Sequence, residues 1–456
     1  GWMESTGPTT AGELAATLHL PESEVASAML ALESQGQLLR GSFRPSIPDS
    51  RLTTHEFCDR RLLARIHRLT IGRLRKEVEP VPASLFMRFL FQWQHVAPGS
   101  RQHGERGLLE VVRQLAGFEA AAAAWEPALL TARMAKYDPG LLDRVCLSGA
   151  VAWGRLTPHP RLTIEDGAGP TGGRRRRIVP TSAAPISLFP REDADWLLAA
   201  CRARPSDPGW TDDALSPVAQ AVRRTLRERG ASFFTDVVRA TGHLPAEIEQ
   251  ALWELVAAGL VTSDGFDNLR ALLDPKRRRA EGRDRNRRPR HGTGRWSLLR
   301  VSETPTAEGD IAGERERIAK VLLRRYGVVF RDLLVRDPLC TAWRDLLVQY
   351  RRMELRGEIR GGRFVSGFVG EQFALPEALE ALRAMRKAPP PACASQDIRI
   401  SGADPLNLVG VILPGERVQA VQSTYVVFRD GVPVRTGRYR DRPDAEEAAA
   451  RLARGG

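Results

Sequence analysis

Four times in this chain an amphipathic helical segment ends at a glycine, with an apolar residue four positions before it and another two positions after. The segments are LESQGQLLRGSF at Gly36, VCLSGAVAWGRL at Gly149, LVAAGLVTSDGF at Gly259 and MELRGEIRGGRF at Gly357. The apolar pairs are Leu32 and Leu38, Val145 and Val151, Leu255 and Val261, and Met353 and Ile359. Glycine tolerates the left-handed backbone that caps a helix C-terminus, and the alternation that follows suits a strand leaving the helix. Upstream of Gly36 and Gly259, AGELAATLHLPESEVASAMLALE and ASFFTDVVRATGHLPAEIEQALWEL add a second helix and a turn. Helix, turn, helix, then hairpin is the winged-helix order. One such glycine says little, but recurrence about every 100 residues points to a tandem array.

The length, 456 residues, exceeds one ordinary core and suits several modules. The expected class is mainly α with small β: tandem winged-helix modules followed by a C-terminal β-barrel. Expected bounds are a winged helix at 1–50, a winged-helix-like module at 51–165, a linker at 166–210, a winged helix at 211–275, a basic linker at 276–300, a winged-helix-like module at 301–390, and the barrel at 391–456. The barrel is read from alternation and turn residues in DIRISGADPLNLVGVILPG and VQAVQSTYVVFRDGVPVRTG, with Arg429–Gly431 as a hairpin signal. RPDAEEAAARLARGG reads as a short terminal helix.

Charge bears on the partner. Lys and Arg number 68 against 55 Asp and Glu, a net charge of +13, and five of the cations are Lys. Arg-rich composition accounts for part of the excess, so clustering carries the inference. GAGPTGGRRRR places Arg174, Arg175, Arg176 and Arg177 together. KRRRAEGRDRNRRPRHGTG carries nine cations, among them Lys276, Arg277, Arg278, Arg279, Arg287 and Arg288. Neither has apolar periodicity, so both read as connectors, either solvated or neutralising phosphates of DNA without reading sequence.

No run of about 18 apolar residues and no leader-like N-terminus occurs, so the expectation is a cytoplasmic protein without membrane contact. Cys58, Cys146, Cys201, Cys340 and Cys393 are scattered, which suits buried thiols; no metal and no cofactor is expected. There is no GxxxxGK[ST], GxSxG, HExxH or deaminase zinc signature in the sequence, so this stretch carries no P-loop motor.

FLFQWQHVAP, Phe89–Pro98, interrupts an apolar run with Gln92 and Gln94 around Trp93. Residues i and i+2 lie about 200° apart on a helix, so the two amides share a site only where the helix ends, which Pro98 makes plausible. The alternative is structural: one Gln exposed, the other capping a helix end, and Trp93 in the core.

RRYGVVFRDLL, WRDLLVQYRRMELRGEIRGGRFVSGFVGEQFALPEALE and SGADPLNLVGVILPG resemble the C-terminal region of bacterial large helicase-related (Lhr) proteins. So do DRRLLARIHRLTIGRLRKEVEPVPASLFMRFLFQWQHVAP and YDPGLLDRVCLSGAVAWGRL. The resemblance extends over most of the chain, and its block from Tyr326 to Pro376 is highly specific. It implies tandem winged helices followed by a β-barrel, in a family where an ATP-driven 3′-to-5′ helicase core precedes this region. The expected partners are DNA, that helicase core in cis or in trans, and a second copy in a homo-oligomer. The region is also similar to AlkZ-type DNA glycosylases, whose Gln, bulky residue, Gln signature matches Gln92, Trp93 and Gln94.

That resemblance implies DNA repair by a monofunctional DNA glycosylase, a hydrolase acting on uracil or on an alkylated or crosslinked base. Two amides can position a water and turn carbonyl dipoles toward an oxocarbenium-like sugar. A carboxylate would complete the site: Asp404 in SGADPLNL is the first candidate and Asp138 in YDPG the second, each equally suited to an Asx-turn. The competing class is a non-catalytic DNA-binding and oligomerisation module of an ATP-dependent helicase.

Overall fold

The computed structural model describes residues 2–44, 55–76, 79–157, 183–202, 215–273, 294–299, 308–339, 342–387 and 397–439. They fall into two compact units, Gly1–Glu79 with Gly361–Arg363, and Pro80–Arg360 with Phe364–Gly456.

In the first unit, α1 (Ala11–Leu18), α2 (Glu22–Ser34), β1 (Leu38–Gly41), β2 (Glu56–Asp59) and α3 (Arg60–Lys76) follow the winged-helix order. Thr10 starts α1 with a reciprocal cap: its hydroxyl accepts from the Glu13 N–H at 3.2 Å while the Glu13 carboxylate accepts from the Thr10 N–H at 2.9 Å. Gly36 ends the α2 segment at φ +70°, after which β1 pairs antiparallel with β2. Leu14, Val25, Met29, Leu38 and Phe57 close a small core.

The second unit repeats the plan. α4 (Ala83–Trp93), α5 (Gly104–Leu115), β3 (Ala120–Ala121), α6 (Pro139–Leu147), β4 (Val151–Gly154) and β5 (Pro185–Pro190) form one module. α7 (Ala194–Arg202) leads on from it. The next module comprises α8 (Pro217–Arg229), β6 (Ser232–Phe233), α9 (Phe234–Thr241), α10 (Pro245–Ala257), β7 (Val261–Ser263), α11 (Phe266–Leu273) and β8 (Arg295–Leu298). Their sheets run β3-β5-β4 and β6-β8-β7, so in each the last strand lies between the other two. The two modules share a continuous core in which the Trp153 ring meets Phe266 and Trp296 edge-on, both at 6.2 Å, and the Thr262 hydroxyl donates to the Trp153 carbonyl at 2.6 Å.

α12 (Glu308–Tyr326), β9 (Val328–Val329), α13 (Trp343–Leu355), β10 (Gln372–Ala374) and α14 (Pro376–Lys387) build a further module, with Phe373 and Ala374 paired to Val329 and Val328. Gly149, Gly259 and Gly357 adopt φ of +80°, +70° and +76°, as their spacing requires of C-terminal caps.

Arg174 to Arg177 and Lys276 to Arg288, the expected connectors, lie outside the described residues. β4 and β5, which flank the first run, are antiparallel partners, and β7 and β8, which flank the second, are partners likewise. One expectation changes: the C-terminal β-barrel is not found among the described residues. β11 (Ile398–Ser401), β12 (Thr424–Arg429) and β13 (Val432–Arg438) form an open antiparallel sheet, and the described strands do not close on themselves. Alternating residues such as Leu406, Leu408 and Ile412 are buried in successive turns rather than in strands, because Asp404 and Asn407 tie their own backbone into turns. The hairpin signal holds, with Asp430 and Gly431 at φ +50° and +77° joining β12 to β13. Phe428 of this sheet meets Phe91 of α4 edge-on at 5.1 Å.

Candidate functional site

α4 carries five buried apolar residues, Phe86, Met87, Phe89, Leu90 and Phe91, and ends at Trp93 with Gln94 as its C-cap. The helix end separates the two amides. Gln92 is exposed, whereas Gln94 is wholly buried. Trp93 and Gln94 then do one job together: the Trp93 indole N–H donates to the carbonyl of Arg324 and the Gln94 amide to the carbonyl of Arg325, both at 2.9 Å. These are among the last carbonyls of α12, which have no partner within their own helix. Gln114 adds a bond to the Trp93 carbonyl at 2.8 Å. Gly327, which follows α12 at φ +68°, leaves the room this needs, since a Cβ there would sit 2.8 Å from Phe89 Cζ and 3.1 Å from Trp93 Cε2.

The other end of the Gln94 amide meets an ion pair. Its Oε1 accepts from Arg133 Nη2 at 2.8 Å, and the same guanidinium grips Asp404 with two bonds, Nη2 to Oδ1 at 2.9 Å and Nη1 to Oδ2 at 2.7 Å. The side chains of Arg133 and Asp404 are essentially inaccessible to water. Arg133 follows a π-helical turn, Trp125–Leu130, whose Leu129 carbonyl accepts a further bond from Nη1 at 3.1 Å. Asp404 Oδ1 also accepts from the Leu406 N–H at 2.9 Å, the Asx-turn geometry of its tight bend. A second buried pair stands on the far side of Gln94: Arg325 is bonded to Asp337 and to the Ala116 carbonyl, and the Tyr326 hydroxyl donates to Asp337 at 3.0 Å. Burial, with the Asp337 charge adding to it, pushes the Tyr326 phenol far up, so it stays a donor.

The structure thus brings Gln94 and Asp404 onto one guanidinium and leaves Gln92 apart from them. Asp138 stands elsewhere, as the N-cap residue of α6. Arg133, Arg325 and Asp337 were missed by sequence reading; an Arg or Asp inside an apolar stretch, as in LLTARM and LVRDPL, is the signal that marks them. His95 follows at φ +61°, its Nδ1 3.1 Å from the Ser100 carbonyl, and burial holds its pKa below the usual imidazole value. Cys58, Cys146 and Cys201 are buried, while Cys340 and Cys393 lie outside the described residues. Among the described residues no cluster of His, Cys, Asp and Glu is placed to hold a metal ion, and no helix is long and apolar enough to cross a membrane.

The architecture defines a class, an array of winged helices followed by a small open β-sheet region, which the buried Arg133–Asp404 pair ties to one of them. Two family models, each described as a winged-helix domain of the large helicase-related protein, match residues 81–167 and 308–394; they are the third and fourth such domains of that family. The chain is 29% identical over 435 residues to the "Lhr helicase/ probable uracil glycosylase" of Mycolicibacterium smegmatis, covering 90% of this chain and 26% of that protein. It is 27% identical over 390 residues to the "Lhr helicase/uracil glycosylase" of Escherichia coli, covering 77% of this chain and 23% of that protein. Two of the winged helices thus match those of the large helicase-related family, and the chain spans about a quarter of the length of these curated relatives.

Proposed function

We propose that this region binds DNA as part of a helicase-related repair protein and acts as a monofunctional glycosylase that removes uracil. The observation that carries the reading is the Gln92–Gln94 segment, held rigidly at the joint of two large helicase-related winged helices with one amide left facing solvent. Both relatives are named for uracil glycosylase activity, which selects uracil from the possible bases.

In this reading Gln92 touches the nucleophile. Its carbonyl accepts a hydrogen bond from a water and aims the oxygen lone pair at C1′ as the C1′–N1 bond breaks. The bonding pair leaves with N1 of uracil, the water oxygen bonds C1′, and its surplus proton passes to solvent or to the departing base. Gln94, Arg133 and Asp404 are positioning residues, because every one of their contacts described here is internal. A Lys Schiff-base step is not invoked, since only Lys136 and Lys320 among the five lysines lie in the described parts of the third and fourth winged helices outside α14. The proposed partners are DNA and the helicase core of the same family, and the proposed modules of the second unit run 83–190, 217–298 and 308–387.

One observation favours a second reading, a DNA-gripping scaffold: both ends of the Gln94 amide and both Asp404 oxygens are occupied inside the fold. Uracil-containing single strands and duplexes, incubated with the protein and then cleaved by alkali at abasic sites, decide between them. Strand breaks that depend on Gln92 support catalysis; tight binding without breaks supports the scaffold.

A further inference from the structure

We infer that duplex DNA is gripped by α13 and the loop before β10, in the module at 308–387, rather than by the corresponding helices of the other modules; the inference rests on the DNA-binding part of the reading above. In a winged helix the second helix of the helix-turn-helix is the one that enters a groove. Four helices hold that place. α2 carries Glu22, Glu24 and Glu33 and no cation. α10 is buried nearly all round, at Ile248, Ala251, Leu252, Trp253, Leu255, Val256 and Ala257, and its charges are Glu247, Glu249 and Glu254. α6 has a single exposed cation, Arg144, and it is neutralised at the surface by Glu105, while Asp143 is held by Arg270.

α13 differs. Arg344, Val348, Arg351, Arg352 and Leu355 fall at helical offsets of 4, 7, 8 and 11, within an arc of about 100°. All five are exposed, Leu355 at 60%, and no carboxylate shares the arc. Leu346, Tyr350 and Met353 hold the opposite side in the core. A cationic face with two apolar side chains suits phosphates together with sugar and base edges.

The adjoining loop extends this face. Arg351 is bonded to Glu371 just ahead of β10, tying helix to loop. Gln372, buried, clamps the loop base: its Oε1 accepts from the N–H groups of Phe364 and Val365, and its Nε2 donates to the Val365 carbonyl, all at 2.8 Å. Gly367 and Gly370, at φ +90° and +101°, turn the tip, and Phe368 anchors it on Phe330 with ring centroids 4.7 Å apart. Val369 between them is 89% exposed. A rigid apolar tip beside a cationic helix fits a wing lying along the duplex next to the groove that α13 enters.

The test is duplex binding by the full chain, read by fluorescence anisotropy across a salt series. Arg344→Gln with Arg352→Gln should lower the slope of log affinity against log salt by about 1.8, two phosphates at about 0.9 each, and weaken binding about tenfold at moderate salt. Val369→Glu, which leaves the buried anchors intact, should weaken binding at least about tenfold. Arg224→Gln with Arg227→Gln on the exposed side of α8 should leave the slope unchanged. Equal losses from the α8 and α13 pairs, an unchanged slope for the α13 pair, or absent duplex binding by the parent overturns the inference. Uracil release from single strands, measured alongside, keeps the two readings apart: the surface can fail while excision stands.

Discussion

Gln94 donates its side-chain N–H to the carbonyl of Arg325 across 2.9 Å, joining positions 231 residues apart in the chain. The two glutamines of one short motif consequently have different duties, and their variants should separate. Gln94→Ala leaves Arg133 and the Arg325 carbonyl short of a partner in a dry interior, costing about 1–3 kcal/mol of stability. Gln92→Ala, on an exposed side chain, should stay within about 0.5 kcal/mol of the parent. Thermal unfolding of the two variants checks the split; equal midpoints would contradict it.

Asp404 compensates a charge before it does anything else. Asp404→Asn strands the buried Arg133 guanidinium and should destabilise by about 3–5 kcal/mol. Replacing both partners, Arg133→Met with Asp404→Leu, should recover much of that loss, since it removes the buried charge along with its partner. Denaturant unfolding of the single and double variants provides the measurement, and additive losses would exclude the pairing as the cause.

Gly327→Ala should destabilise twice over, through strain at φ +68° and through collision with Phe89 and Trp93. A loss above about 1 kcal/mol is expected, together with a change in tryptophan fluorescence as Trp93 shifts. A neutral substitution would mean that α12 and the end of α4 are not held this closely.

Much of the fold was legible because helix caps are local. Gly36, Gly149, Gly259 and Gly357 stand where the spacing put left-handed residues, and Asp430 and Gly431 turn the hairpin as their sequence implied. The alternation after Pro391 was legible as β-prone but not as open or closed, since Asp404 and Asn407 divert the chain into turns through side-chain bonds that pattern alone does not reveal. The site was half legible. Gln92 and Gln94 were picked out as unusual, but the partner that sorts them, Arg133, is held by Asp404 from 271 residues away. Nothing local in either segment encodes that encounter.

His95 sets an acid limit. Burial lowers its pKa, with the Arg133 charge acting in the same direction and Glu110 and the Ser100 carbonyl opposing. The unfolded chain therefore takes up a proton, as pH falls through about 6.5, more readily than the folded one does. Stability supplied by neutral His95 is complete above that value and is lost on acidification toward its folded pKa. His95→Gln should flatten this part of the stability–pH profile between about pH 7 and 5, and an unchanged slope would remove His95 from the explanation.

The most direct measurement is release of uracil from a single-stranded and a duplex oligonucleotide, scored as alkali-labile sites, for the parent and for Gln92→Ala at equal DNA occupancy. The expected result is cleavage by the parent and a loss on the order of 10²-fold or more in the variant, with binding and unfolding midpoint retained. A parent that binds uracil-containing DNA yet yields no abasic sites, or a Gln92→Ala protein as active as the parent, would contradict the glycosylase reading.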